Sequence, residues 1–67
     1  MKVTLNGTVH HFEAPPATVA ELVLALNLEG KRIAVEMNGE IVPKSRYAQT
    51  RVAAGDQFEV VAAVGGG

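Results

Sequence analysis

The chain has 67 residues, a net charge of −1, 48% apolar residues and no cysteine. That length allows one small domain, and a domain this size buries only about 60% of its unfolded surface, so a compact core must stabilise it. The missing cysteines exclude disulfides, thiolate zinc sites and iron–sulfur clusters. Near-neutral charge without a basic stripe, with one Tyr, two Phe and no Trp, argues against a nucleic-acid binder. No apolar run approaches the ~18 residues of a membrane span, and Met1 to Gly7 lacks a signal-peptide core. A soluble, cytoplasmic domain is expected.

Val3 and Leu5 alternate with Lys2 and Thr4, which is strand periodicity. Asn6-Gly7 follows, a strong type I′ hairpin signal, because both central residues need positive φ. Thr8 to Glu13 is the return strand. A two-residue turn sets Leu5 opposite Thr8, Val3 opposite His10 and Met1 opposite Phe12, with Val3, Leu5 and Phe12 on the core face. Ala14-Pro15-Pro16-Ala17 ends the hairpin. Thr18-Val19-Ala20-Glu21 matches a capping box, Thr18 as N-cap and Glu21 reaching back to it. Val19, Leu22, Val23 and Leu26 share one helical arc. Leu24 falls off it and is expected to be loop-covered or partly exposed. Asn27 to Gly30 closes the helix, with Gly30 expected as its left-handed stop.

Ile33 to Met37 reads as a third strand, Asn38-Gly39 as a second tight turn, and Glu40-Ile41-Val42 as a short fourth strand ended by Pro43. Lys44 to Thr50 is expected to be irregular or a single helical turn. Ala54-Gly55-Asp56 turns into a final strand, Gln57 to Val64. That strand is apolar on both faces, with Phe58, Val60, Ala62 and Val64 on one and Val61 and Ala63 on the other. It suits the sheet centre, parallel to the first strand. One helix then covers one face of a small mixed sheet, an α+β, two-layer domain over residues 1–64. Residues 65–67 form a glycine tail.

Few residues offer chemistry. His10 and His11, as strand neighbours, point to opposite faces and cannot easily share a metal. Ser45 and Tyr47 lack a nearby His and a nucleophile elbow. Glu36 and Glu40 flank a turn and read as solvated charges. Gly30-Lys31 lacks the rest of a phosphate loop. No catalytic residue, metal site or bound cofactor is assigned, and the chain alone does not read as an enzyme.

Gly65-Gly66-Gly67 remains. Glycine is a poor way to finish a fold, since it loses the most backbone entropy on ordering. It suits an extended tail entering a narrow channel, with Gly65 and Gly66 threading a partner's site and the Gly67 carboxylate presented at the tip. That carboxylate is ionised at pH 7 and is a poor electrophile until activated, most simply as an acyl-adenylate. ATP and Mg²⁺ would then be held by a partner enzyme. Val61, Ala63 and Val64, beside the tail, are expected to form a docking patch, unless the loop over residues 44–53 covers them.

A strand–turn–strand run, Ala34-Val35-Glu36-Met37-Asn38-Gly39-Glu40-Ile41-Val42-Pro43, is followed by Arg46-Tyr47-Ala48, Ala54-Gly55-Asp56, the final strand and Gly66-Gly67. Over its whole length this pattern resembles the ubiquitin-like β-grasp sulfur carriers, and most closely the ThiS family of thiamin biosynthesis. Tyr47 stands where the family often has Trp, and Gly65 is extra to the family's diglycine. The resemblance implies a sheet of four to five strands with one main helix. It also implies a C-terminal thiocarboxylate at Gly67, formed by an E1-like adenylyltransferase of the ThiF type. Sulfur would come from a donor such as a cysteine desulfurase, and thiazole synthase (ThiG-like) would accept it. The small subunit of molybdopterin synthase shares the fold and end, but its prolines before the glycines are missing from Ala62-Ala63-Val64. A ubiquitin-like protein modifier and a plain interaction module with a fraying tail are the other readings.

Overall fold

The computed structural model describes residues 1–62. Strands β1 (Lys2–Leu5) and β2 (Thr8–His11) form the first hairpin. Leu5 stands opposite Thr8 and Val3 opposite His10, the register the two-residue turn dictates. Asn6 (φ 50°) and Gly7 (φ 81°) both take the left-handed conformation of a type I′ turn. Past the strand ends the pairing continues. The Phe12 N–H donates to the Met1 carbonyl at 2.8 Å, and the Met1 ammonium donates to the Phe12 carbonyl at 2.9 Å.

Helix α1 (Val19–Ala25) starts at Thr18, whose Oγ1 accepts from the Glu21 N–H at 3.3 Å. Glu21 reaches one residue further back than expected: its carboxylate accepts from the Ala17 N–H at 3.0 Å. The N–H groups of Val19 and Ala20, left without partners by the helix itself, donate to the Thr50 and Tyr47 carbonyls at 2.9 and 3.0 Å. At the other end Asn27, not Gly30, stops the helix. Asn27 has φ 60°, with Leu28 N–H to Val23 O at 3.0 Å and Asn27 N–H to Leu24 O at 2.9 Å, a Schellman closure. Gly30 (φ 82°) instead serves the next turn, closed by Lys31 N–H to Leu28 O at 3.1 Å. Leu24 is exposed. Seven residues make a helix too short to persist alone, so α1 depends on its buried face, Val19, Leu22 and Val23.

Strands β3 (Ile33–Met37) and β4 (Glu40–Val42) form the second hairpin through Asn38-Gly39, and β5 (Gln57–Ala62) completes the sheet. The order is β2-β1-β5-β3-β4, with β5 parallel to β1 and antiparallel to β3. Five strands under one helix make the expected β-grasp. Val3, Val35 and Phe58 from the three middle strands pack with Val42 and Val52 against the buried face of α1. Phe58 is 1% exposed. The segment after β4 begins with a single 3₁₀ turn, Lys44–Arg46. It is stitched to the start of α1 by the two bonds to Thr50 and Tyr47 and by Val52 N–H to Ala17 O at 3.0 Å. It therefore lies on the helix side, and among the described residues no segment covers the other sheet face. Among the described residues no helix is long and apolar enough to cross a membrane.

Candidate functional site at the root of the tail

The strand that leads to the glycines is held from both sides. β1 and β3 flank it, and two turn asparagines add side-chain contacts. The Asn6 amide reads the Val60 backbone twice: Nδ2 donates to the Val60 carbonyl at 3.0 Å, and Oδ1 accepts from the Val60 N–H at 2.8 Å. Asn6 thereby extends β1 by one residue of pairing beyond Leu5–Phe58. At the start of β5, Asn38 Oδ1 accepts from the Gln57 N–H at 2.9 Å, and its backbone N–H donates to the Gln57 carbonyl at 2.7 Å. Asn38 Nδ2 also donates to Asp56 Oδ1 at 3.1 Å, and Asp56 Oδ2 accepts from the Ala53 N–H at 2.7 Å. The sequence marks both asparagines as turn formers and hides this second role. The one available signal is the amide itself, which carries a donor and an acceptor where Asp or Gly would not.

Side chains alternate along β5. Phe58 and Val60 face the helix, so Gln57, Glu59 and Val61 face the uncovered side. Val61 is 56% exposed. Val9 and Ile41, also exposed, stand on the same face, opposite Thr4 and Glu36 in their ladders. Glu36 and Glu59 are direct cross-strand partners there. Like charges in that position repel, and around them the exposed face mixes Val9, Ile41 and Val61 with the polar Lys2, Thr4, His11 and Gln57. Ala63, Val64, Gly65, Gly66 and Gly67 lie outside the described residues. The last described residue, Ala62, pairs with Ile33.

The remaining candidates are dispersed. His10 and His11 occupy opposite faces of β2, across from Val3 and Lys2. No group of three or more His, Asp or Glu among the described residues could hold a metal ion. Ser45 is exposed, whereas Tyr47 is half-buried, and burial pushes its phenol above the ordinary value.

Three comparisons bear on this arrangement. The ThiS family model matches residues 3–67. The sulfur carrier protein ThiS of Bacillus subtilis (strain 168) is 36% identical over 63 residues, covering 94% of this chain and 96% of that protein. The thiazole synthases of Paramagnetospirillum magneticum and Magnetococcus marinus are 48% and 37% identical over 67 residues. Those matches take in the whole of this chain, which spans only 20% of the length of either synthase. The crystal structure of the thiamine biosynthesis protein (ThiS) from Geobacter metallireducens superposes with a TM-score of 0.87 at 32% identity, covering 100% of both chains. The chain belongs to the ThiS family, with that family's ubiquitin-like β-grasp fold.

Proposed function

We propose that this domain is a sulfur carrier for thiazole formation in thiamin biosynthesis, and that its working group is the Gly67 carboxylate. An E1-like, ThiF-type adenylyltransferase supplies ATP and Mg²⁺. A carboxylate oxygen attacks the α-phosphorus, pyrophosphate leaves, and the acyl-adenylate forms. The terminal sulfur of a cysteine desulfurase persulfide then attacks the acyl carbon and displaces AMP, and a second thiol reduces the resulting acyl disulfide, ending as a disulfide itself and leaving the thiocarboxylate. The observation that carries this reading is the family match that runs through β5 and includes Gly66 and Gly67.

The physical case is consistent with it. The folded strands end, among the described residues, at Ala62. The five residues beyond Ala62 reach at most about 18 Å at ~3.3–3.6 Å each. An enzyme that grips the end must therefore also meet the body near Val61, with Ala63 and Val64 extending that contact. A thiazole synthase as sulfur acceptor is supported by the two relatives of that name, in which the stretch matching this chain sits within a longer protein.

The test is adenylation by the adenylyltransferase of the same source, followed as ATP–pyrophosphate exchange. Deleting Gly66-Gly67 should abolish exchange while the domain stays folded. Exchange that survives the deletion would refute the role of the tail.

A further inference from the structure

The helix side of the tail root carries a feature that sulfur carriage through Gly67 does not use. A groove of about 450 Å³ opens between the end of α1, the turn leading into β3, and the Lys44–Ala48 segment. Its floor is apolar, with Leu28, Ile33 and the half-buried Tyr47. Lys31, Arg32 and Lys44 also line it, three of the six cationic side chains in the chain, against one acid, Glu29. Ile33 pairs with Ala62, so the groove abuts the place where the chain departs for the glycines.

We propose that this groove docks an acidic segment with an apolar anchor, presented by the adenylyltransferase that takes the tail. The proposal rests on the sulfur-carrier reading above. Lys31 and Lys44, the two lysines of the lining, favour an anionic occupant. The groove's apolar floor gives a bare inorganic anion nothing to bury, whereas a peptide side chain gains roughly 25 cal/mol for each Å² of apolar surface removed from water. Position favours the enzyme over an unrelated ligand, because the groove borders Ile33, the ladder partner of Ala62, and so lies beside the route to the glycines.

The tail root is thus electrically two-sided. Lys31, Arg32 and Lys44 lie on the helix side, and Glu36 and Glu59 on the bare sheet face. Opposed charges of this kind fix the rotational setting of a docking body and speed its encounter, because complementary rims act mainly on the rate of association. The segment after β4 forms one wall of the groove through Lys44, Ser45, Tyr47 and Ala48.

The test compares the full chain with the double variant Lys31→Glu/Lys44→Glu, the milder Lys44→Gln, and a control, Lys2→Glu, at the far end of β1 from Ala62. Amide spectra establish that each is folded. The readout is the KM for this chain in adenylation, at low salt and at about 0.3 M salt, where charges beyond several ångström are screened. The double variant should raise KM about tenfold or more at low salt with kcat unchanged, and should flatten the salt dependence, as loss of steering charges does. Lys44→Gln should do so in part, and the control should stay within about twofold.

A double variant within about twofold of the parent, while deletion of Gly66-Gly67 still abolishes adenylation, would overturn the groove and leave the tail reading intact. A parent chain that is never adenylated would remove both. Shifts of the Tyr47 region on adding ATP alone, or on raising protein concentration alone, would assign the groove to a small anion or a second copy and overturn the proposal.

Discussion

Asn6 separates two contributions that usually travel together, the tolerance of a positive φ and the worth of a side-chain hydrogen bond. Its φ is 50°, and its amide makes two bonds to Val60, at 3.0 and 2.8 Å. Asn6→Gly keeps the conformation and removes both bonds. The site is exposed, so water replaces part of what is lost and each bond contributes near the lower end of the usual 0.5–1.5 kcal/mol. The expected loss is therefore about 1–2 kcal/mol in total. Asn6→Ala removes the same bonds and adds left-handed strain of roughly 1–2 kcal/mol. With a urea m-value of about 1 kcal/mol/M for so small a domain, the midpoint should fall by about 1–2 M for Gly and further for Ala. Urea unfolding followed by circular dichroism measures both. Amide exchange at Val60, whose N–H loses its acceptor, should quicken more than at Val35 in the buried centre of β3. A Gly midpoint equal to the parent's would refute the claim that Asn6 clamps β5. Equal Gly and Ala midpoints would refute the strain argument.

Other perturbations test the packing and the site. Phe58→Ala, at a side chain only 1% exposed, should cost about 3–5 kcal/mol. That is comparable with the whole stability of a domain this size at ~0.05–0.15 kcal/mol per residue. The variant should be largely unfolded at 37 °C by circular dichroism. Tyr47, whose phenol burial raises its pKa, binds its proton more tightly folded than unfolded. The stability this supplies is fully present below pH ~10, the unfolded value, and is lost as pH rises through the higher folded value. Absorbance titration at alkaline pH should show the raised transition, and Tyr47→Phe should unfold less readily there than the parent. Val61→Asp, on the exposed sheet face, should weaken adenylation while the urea midpoint stays near the parent's; unchanged adenylation would remove Val61 from the docking surface.

Much of this architecture is legible in the chain because a few residues have few options. Asn6-Gly7 and Asn38-Gly39 each put two residues at positive φ, which suits a type I′ turn, and a two-residue turn fixes the register of the strands it joins. Thr18 with Glu21 marks a helix start for a similar reason. The helix end is less determined, since Asn27 and Gly30 can both take the left-handed position, and the choice falls to whichever residue closes the backbone bonds to Val23 and Leu24. Contacts between distant segments are not legible. Asn6 meets Val60, and Glu36 meets Glu59, only once β5 is threaded between β1 and β3. The groove stayed hidden because Lys31 and Lys44 belong to separate segments that the sheet brings to one rim.

The central claim, that the glycine end is an acyl group charged and unloaded by other proteins, is tested most directly by the intact mass of this chain after incubation with ATP, Mg²⁺, the adenylyltransferase and a sulfur source. The account predicts a mass gain equal to one oxygen replaced by sulfur, confined to the peptide ending at Gly67 and lost when that end is amidated beforehand. An unchanged mass with active enzyme, or the same gain on the amidated chain, would contradict it.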